Sequence, residues 1–189
     1  MIEQVGNVIA RLHELKAPEG APHDFAYGLG HFEEVLTADI SHPFKKWLKD
    51  KTGMLKSELD LTMARGFIHG DIFWDNLLFK KGKLIAVLDF EEACQYFLLF
   101  DLGMAAVGCC SVEGRFDEEK ISWLLQGYQN RRPLTEPEKA QFAPFLVYAA
   151  TATAFWRFRQ YNLRYPNLNL KDSHKEIAAL ADHPPNVMC

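Results

Sequence analysis

Three oxygen-bearing side chains near the middle of the sequence have the types and spacing that metal-assisted chemistry on a phosphate requires. Asp71 and Asn76 are separated by four residues, enough for a tight loop. Asp89 comes after two further short apolar segments. Carboxylate and carboxamide oxygens suit a hard cation such as Mg²⁺, which takes its remaining ligands from phosphates and water. A carboxylate that is not used for metal can accept the proton of an attacking hydroxyl. Together the three groups cover much of what phosphoryl transfer needs, because that chemistry depends mainly on positioning and charge neutralisation.

A predicted β-hairpin brings these side chains together. Residues 77–79 and 84–88 are apolar runs of β type, and the segment 80–83, with three lysines and a glycine, is typical of the turn between them. Hairpin strands pair antiparallel, so the start of the first strand lies beside the end of the second. Asn76 precedes the first strand and Asp89 ends the second. Both are therefore predicted to reach a common ion at the open end of the hairpin.

The rest of the sequence predicts helices, so the expected fold class is α+β and mainly helical, with a single β-hairpin at its centre. Apolar residues recur at helical spacing over residues 2–16. Residues 31–65 predict one or two helices with a break around residues 51–54, and the pattern is helical from Phe97 to the end of the chain. The prolines at 133, 137, 144 and 166 are expected to mark breaks or first helical turns.

Each of the three polar residues also has an ordinary structural explanation. Asp71 follows a glycine and can form a turn or cap a helix, Asn76 can cap a strand, and Asp89 can be a solvated strand end. Their joint spacing beside two apolar strands favours a site over three unrelated residues. A nuclease or phosphatase built on the same carboxylates is a less favoured alternative, because a two-metal hydrolase would normally show more histidine and aspartate ligands.

The motif around these residues resembles a known superfamily. His69-Gly70-Asp71, four residues and Asn76, followed by a strand that ends in Asp89-Phe90, is similar to the aminoglycoside phosphotransferase and choline kinase superfamily, whose core is similar to that of protein kinases. The resemblance extends to Arg11-Leu12-His13 and Leu99–Gly103 and covers essentially the whole chain. It implies that residues 1–189 form one domain with the fold of the C-terminal lobe of a protein-kinase-like enzyme. The expected parts are a catalytic loop at residues 68–79, a metal-binding strand end at 85–90 and a helical subdomain at 97–183.

The resemblance also implies a role for each motif residue. Asp71 is expected to orient and deprotonate the acceptor hydroxyl, and Asn76 and Asp89 are expected to bind the Mg²⁺ that accompanies ATP. His69 is expected to pack under the catalytic loop without transferring protons. Asp101 is expected to accept hydrogen bonds from the backbone of that loop, with a helix cap as its alternative role.

The superfamily has an amino-terminal lobe with a five-stranded sheet, a phosphate-covering loop and a strand lysine paired with a helix glutamate. Residues 1–65 instead have a helical pattern, and the glycines at 28 and 30 follow no strand, which argues against a phosphate loop. We therefore expect the N-lobe to be absent and the chain alone to have little or no catalytic activity. A fragment, a truncated reading frame and a non-catalytic, pseudokinase-like binding domain are the open explanations.

The segment after the motif favours one substrate within the superfamily. Residues 89–136 resemble bacterial homoserine kinase of the aminoglycoside phosphotransferase type. This resemblance implies phosphorylation of homoserine, with Arg159 as the expected partner of the amino-acid carboxylate. Trp74, which stands where proline is usual, is a second candidate for substrate binding. A choline substrate, held by Trp74, Phe97 and Glu91, and an aminoglycoside in an acidic cleft stay open.

Composition and charge argue against some classes of partner, and the small hydroxyl compound is the partner that the resemblance implies. The 189 residues are 48% apolar, enough for a packed core, and the net charge of −4 argues against nucleic acid. No segment has the length of a membrane span and the amino terminus does not resemble a signal peptide, so a cytoplasmic protein is expected. The cysteines at 94, 109, 110 and 189 fit buried free thiols better than disulfides or zinc ligands. Without an N-lobe, an exposed apolar docking surface would favour a dimer.

Overall fold

A computed structural model describes residues 1–186 and has a mainly helical α+β architecture, which confirms the predicted class. The helices are α1 (Ile2–His13), α2 (Glu33–Leu36), α3 (Pro43–Glu58), α4 (Leu98–Cys109), α5 (Glu118–Gln129), α6 (Glu136–Phe158) and α7 (Ser173–Asp182). The strands are β1 (Arg65–Ile68), β2 (Leu77–Lys80), β3 (Lys83–Val87), β4 (Cys94–Phe97), β5 (Ser111–Val112) and β6 (Arg115–Phe116). Within the described residues they form three antiparallel pairs, β1 with β4, β2 with β3 and β5 with β6.

The predicted hairpin is formed by β2 and β3. Leu77 lies opposite Val87 at its open end, and the strands differ from the predicted ones by no more than one residue at each end. Lys81 and Gly82 form the turn with φ angles of 50° and 74°. Both angles lie in the left-handed region that the tightest hairpin turns require. The hairpin prediction is therefore confirmed.

The pairing of β1 with β4 corrects the prediction of a single hairpin. Ile68, the last residue of β1, lies opposite Cys94, and Arg65 lies opposite Phe97. β4 continues directly into α4 within one apolar stretch, and nearly every residue of both elements is buried. A continuous apolar run does not reveal whether it is a strand or a helix, and the sequence pattern therefore did not assign residues 94–97 to a strand. The short β5–β6 hairpin also interrupts the region expected to be helical.

Two helical predictions need correction as well. α3 runs without interruption through residues 51–54, because Leu48, Thr52 and Leu55 form one buried face across the expected break. Pro144 lies inside α6 and does not end it. An interior proline removes one backbone hydrogen bond and crowds the carbonyl group one turn earlier. The buried face of this 23-residue helix continues on both sides of Pro144 and offsets that cost.

The core is built around α4, which is almost entirely buried and packs against α6. A helix that is apolar on all sides belongs at the centre of a domain. α1 crosses α5 very closely, since a Cβ on Gly6 would lie 2.0 Å from the Leu124 carbonyl oxygen. The same is true of Gly127, where a Cβ would lie 2.0 Å from the Glu3 carbonyl oxygen. These two glycines bring α1, with His13 at its end, against the helical core.

No helix within residues 1–186 combines the length and the apolar character needed to cross a membrane. Cys94, Cys109 and Cys110 are buried free thiols. This arrangement confirms the prediction for the three cysteines, while Cys189 lies outside the described residues.

Candidate active site

The predicted catalytic loop turns sharply just after β1, at a position that strongly favours glycine. Gly70 has a φ angle of +81°, in the left-handed region. A Cβ at this position would lie 2.7 Å from the Phe25 ring and 3.0 Å from the Glu92 carbonyl oxygen. Glycine thus allows the chain to turn sharply immediately before Asp71.

Asp71 and Asn76 contact each other across the loop. The Asn76 amide nitrogen donates a 2.9 Å hydrogen bond to the Asp71 carboxylate and another of 2.9 Å to the Asp71 carbonyl oxygen. A 3₁₀ turn over Trp74–Asn76 folds the segment back and permits this contact. Both bonds use the amide nitrogen, so the carboxamide oxygen of Asn76 has no partner within residues 1–186 and is available to a cation.

Burial raises the pKa of Asp71 to about 6. The hydrogen bond from Asn76 and the neighbouring His69 act in the opposite direction, whereas the Asp75 and Glu92 carboxylates raise the pKa further. A carboxylate with such a pKa is still mostly ionised at neutral pH and binds a proton more strongly than an exposed aspartate does. Asp71 therefore has the properties of a general base.

Asp89 lies next to Asn76 at the open end of the hairpin. The Leu88 N–H donates to the Asn76 carbonyl oxygen over 2.9 Å and joins the end of β3 to the start of β2. Asp89 has a φ angle of 60°, a strained conformation for a residue other than glycine and one found preferentially at functional sites. No three His, Cys, Asp or Glu side chains of residues 1–186 form a metal-binding group. A cation here would rely on Asn76, Asp89 and ligands from substrate and water, which is the usual situation of Mg²⁺.

Asp101, in the first turn of α4, is fully buried and binds the backbone of the catalytic loop. Its carboxylate accepts the Gly70 N–H at 2.7 Å and the His69 N–H at 3.1 Å. His13 Nε2 lies 3.1 Å from the same carboxylate, and His13 Nδ1 lies 2.8 Å from the Tyr128 hydroxyl. Burial alone would raise the pKa of Asp101, but the hydrogen bonds from His13 and Gly70 hold it below its usual value. α4 has no side-chain cap, so the alternative role as a helix cap is not observed.

His69 connects the loop to the hairpin through both ring nitrogens. The Asp71 N–H lies 3.2 Å from Nδ1, and Nε2 lies 2.9 Å from the Leu88 carbonyl oxygen. In this geometry Nδ1 accepts a hydrogen bond and Nε2 donates one. The ring also packs against Phe90, with centroids 4.5 Å apart. Neither nitrogen is left for a substrate, and this geometry suits a positioning role.

A cavity of about 490 Å³ opens beside Asp71. Its acidic wall consists of Asp71, Asp75, Asp89, Glu91 and Glu92. Four aromatic residues form another wall. Tyr27 comes from the loop after α1, Phe73 from the catalytic loop and Trp156 from the end of α6. Tyr161 comes from the π-helical segment Arg159–Arg164, which continues α6. Of the described residues that line the cavity, Arg157 is the only basic one. Carboxylates and aromatic faces together suit a small molecule with a cationic group.

The two residues expected to bind substrate, Arg159 and Trp74, do not line this cavity. Arg159 is 6% exposed and its Nη1 lies 3.3 Å from Glu34 Oε2. Trp74 is 41% exposed and its ring packs against Phe79, with centroids 6.0 Å apart. Arg157 lines the cavity instead, because positions two apart differ by about 200° around a helix and meet different neighbours.

Other residues of the cavity wall were not predicted. Tyr27 lies in a loop whose sequence carries no signal for a site. The helical spacing of Phe155, Trp156 and Phe158 predicts core positions, and this is confirmed for the two phenylalanines, whereas Trp156 is half-buried in the cavity wall. The sequence did offer a signal for Glu92, because it lies two residues after the end of the motif at Asp89-Phe90. Burial and the adjacent Glu92 raise the pKa of Tyr27, so its hydroxyl stays neutral.

A second cleft, of about 420 Å³, lies between α1 and the hairpin. Its wall is largely apolar. The apolar residues are Val8, Ile9, Leu12, Leu15, Ile72, Val87 and Phe90. Ile72 follows the candidate base, and Val87 precedes Asp89 by two positions, so the cleft adjoins the same loop and strand end as the cavity.

Comparison with protein-family models gives a match over residues 1–134 to the family described as "Phosphotransferase enzyme family". The matched region contains the catalytic loop, the hairpin and Asp101. The chain belongs to this phosphotransferase family. α6 and the cavity wall that it supplies lie beyond the matched residues.

Curated relatives include homoserine kinases. The homoserine kinase of Gluconobacter oxydans (strain 621H) is 32% identical over 150 residues, which are 72% of this chain and 46% of that protein. The homoserine kinase of Rhizobium etli (strain ATCC 51251) is 27% identical over 166 residues, which are 84% of this chain and 51% of that protein. The chain thus spans about half the length of the curated relatives it matches.

Solved structures of small-molecule kinases have the same fold. A choline/ethanolamine kinase family protein from Mesorhizobium loti has a TM-score of 0.73 at 15% identity, covering 96% of this chain and 61% of that one. Choline kinase LicA from Streptococcus pneumoniae has a TM-score of 0.68 at 14% identity, covering 96% and 63%. At these identities the similarity establishes the kinase-like fold.

Proposed function

We propose that this chain provides the catalytic base and the metal ligands for ATP-dependent phosphoryl transfer to the hydroxyl group of a small molecule. The observation that carries the proposal is the Asp71 carboxylate, which is held by Asn76 and lies on the wall of a cavity that it shares with Asp89. A base, two oxygen ligands and a cavity of substrate size are the components that phosphoryl transfer requires. The family and the kinase relatives support the same reaction class.

In the proposed reaction the substrate hydroxyl donates a hydrogen bond to Asp71. A bond forms between the hydroxyl oxygen and the γ-phosphorus of ATP, the bond from that phosphorus to the β,γ-bridging oxygen breaks, and ADP leaves with the electron pair. The hydroxyl proton passes to Asp71. Asn76 and Asp89 would hold Mg²⁺, which neutralises phosphate charge when bound. His69 and Asp101 keep the loop that carries Asp71 in place.

The apolar cleft between α1 and the hairpin is the proposed site of the adenine ring. Leu12, Ile72 and Val87 offer it an apolar surface, and a nucleotide lying there can extend its phosphates toward Asp89. The chain spans about half the length of its relatives, so we propose ATP turnover for the whole protein rather than for these 189 residues alone. A cytoplasmic location stays a prediction.

Homoserine is the substrate that we propose for the whole protein. The curated relatives support it, and the acidic wall of the cavity can bind its ammonium group. A quaternary or primary amino alcohol such as choline is a second candidate, favoured by the aromatic faces of Tyr27, Trp156 and Tyr161 in the same cavity.

A coupled assay of ADP release with the whole gene product tests these proposals. The alcohols to compare are L-homoserine, choline, thiamine, methylthioribose and kanamycin, each with and without Mg²⁺. We expect turnover of L-homoserine that requires Mg²⁺ and falls at least about 100-fold in Asp71→Asn. Turnover of choline or kanamycin with L-homoserine inert would refute the substrate and leave the reaction class standing. Mg²⁺-dependent ATP binding without turnover of any alcohol would favour a non-catalytic binding domain.

A further inference from the structure

Arg157 lines the cavity and has no carboxylate partner within residues 1–186. It lies in the last turn of α6, and its Nη1 donates a 3.2 Å hydrogen bond to the Ser173 carbonyl oxygen. It makes no salt bridge within residues 1–186, whereas Arg159 and Arg164, which follow it, both pair with Glu34. A guanidinium group has five N–H donors, so most of those on Arg157 are left for a ligand.

Ser173 places a hydroxyl group at the same end of the cavity. It begins α7, lines the cavity and contacts Arg157 through its carbonyl oxygen. Its hydroxyl group is buried and has no hydrogen-bond partner within residues 1–186. Buried hydroxyl groups normally have a partner, so this one is consistent with a ligand that completes the site. An arginine beside a serine hydroxyl is a donor set that recognises a carboxylate.

The helix that carries Arg157 changes its geometry at the cavity. α6 continues as a π-helical segment, and Trp156 and Tyr161, five residues apart, contact each other edge to face with ring centroids 5.9 Å apart. A π-helical turn brings positions i and i+5 together and is frequent at functional sites. The Trp156 ring also lies 6.2 Å from the Tyr27 ring, so an aromatic surface extends from Arg157 toward the opposite wall.

The opposite wall carries negative charge that the proposed reaction does not use. Asp75, Glu91 and Glu92 line the cavity and make no salt bridge within the described residues. Arg157 therefore does not neutralise them, and the cavity keeps separate positive and negative regions. Such a cavity is complementary to a small molecule that carries both charges.

We propose that Arg157, together with the Ser173 hydroxyl, binds the carboxylate of the substrate, and that the acidic wall at Glu92 binds its ammonium group. The substrate class is then an α-amino acid with a side-chain hydroxyl that reaches Asp71. This inference rests on the proposed function and deepens it by assigning the charged groups of the substrate to named residues. Arg159, which the sequence favoured, has Glu34 as its partner instead.

The test uses two alcohols that differ only in the carboxylate, L-homoserine and 3-aminopropan-1-ol, with the whole protein. Arg157→Gln should raise the KM for L-homoserine about 10- to 100-fold, the loss expected for a charge-assisted bidentate contact. With 3-aminopropan-1-ol the same substitution should change KM by less than about twofold. Arg157→Lys keeps the charge without the planar fork and should show an intermediate loss. Arg164→Gln is the matched control, because Arg164 pairs with Glu34 and does not line the cavity.

Equal losses with both alcohols would overturn the inference, because Arg157 would then act on the phosphates or on the fold. A wild-type protein that used 3-aminopropan-1-ol as well as L-homoserine would also overturn it, while the phosphotransferase function would stand. Turnover of neither alcohol would refute the proposed substrate together with this inference. If Arg157→Gln does not fold, Arg157→Lys and Ser173→Ala give the same comparison, and each is expected to raise KM for L-homoserine alone.

Discussion

At the scale of single residues, Asp71 and Asp89 are expected to respond differently to the loss of their charge. Asp71→Asn in the whole protein should lower kcat about 10²- to 10⁴-fold with little change in ATP affinity, because the base acts on the hydroxyl and not on the nucleotide. Asp89→Asn should instead raise the Mg²⁺ requirement and weaken ATP binding. Steady-state kinetics across a Mg²⁺ titration, with equilibrium binding of ATP, separate the two effects.

A surface aspartate provides the control for this comparison. Asp50 lies on α3 and pairs with Lys46 one turn away, far outside the cavity wall, so Asp50→Asn should leave both kcat and the Mg²⁺ requirement unchanged. The same modest loss in Asp71→Asn and Asp89→Asn would contradict their separate roles.

The raised pKa of Asp71 also predicts a pH-dependent effect on stability. The carboxyl titrates near its ordinary pKa of about 3.9 when the chain is unfolded and at about 6 when it is folded. Between these values the folded state binds more protons, so the contribution of Asp71 to the free energy of unfolding falls as the pH rises. Asp71→Asn cannot ionise. In metal-free buffer at neutral pH, the Tm of this variant should lie a few degrees above that of the wild type. The difference in Tm should disappear as the pH falls from about 6 to about 4. Melting curves followed by circular dichroism would contradict this if the difference did not change with pH.

At the scale of elements, His13 is the contact through which α1 supports the catalytic loop. It lies 3.1 Å from Asp101 with both side chains completely buried, and Asp101 binds the loop backbone in turn. His13→Ala should lower the free energy of unfolding by about 2–4 kcal/mol, because it leaves a buried carboxylate without one of its partners. Denaturant unfolding of the wild type and of the variant measures this loss as the difference between their free energies of unfolding.

An exposed histidine of similar geometry is the matched control. His31 lies 3.2 Å from Asp24, but the two side chains are 41% and 68% exposed. His31→Ala should cost less than about 1 kcal/mol, since solvent screens an exposed pair. Comparable losses at His13 and His31 would mean that burial is not what makes the first contact important.

At the scale of the whole molecule, the hairpin leaves apolar side chains uncovered. Leu78, Ile85 and Leu88 are 47%, 54% and 46% exposed, respectively, which is unusual for neighbouring large apolar residues. The 189-residue chain is therefore expected to self-associate through this face, in line with the predicted dimer. Sedimentation should show a larger monomer fraction for the double variant Leu78→Lys, Ile85→Lys than for the wild type.

Leu168→Lys is the control for this experiment, because Leu168 is 85% exposed but lies outside the hairpin. It should leave the association unchanged. A wild-type chain that sediments as a monomer at all concentrations would contradict the prediction, and so would an equal effect of the control substitution.

The sequence by itself determined the loop and the hairpin, because their residues are close along the chain. The short separation of Asp71 from Asn76 and the turn at Lys81 and Gly82 leave few possible arrangements, and antiparallel pairing then brings Asp89 to the open end. The family motif in this segment is confirmed by the match over residues 1–134. The chemical roles of these residues stay predictions until the kinetics are measured.

Only the tertiary structure decided the other side of the cavity. The sequence favoured Arg159 over Arg157, but the packing of Arg159 against Glu34 leaves Arg157 to line the cavity. Tyr27 reaches the same cavity from a loop far away in the chain, and β4 pairs with β1 across 25 intervening residues, 69–93. Local spacing describes the face on which a side chain lies and carries no information about which distant element will pack there. Contacts of this kind exist only once the helices have packed, and they are the ones expected to select the substrate.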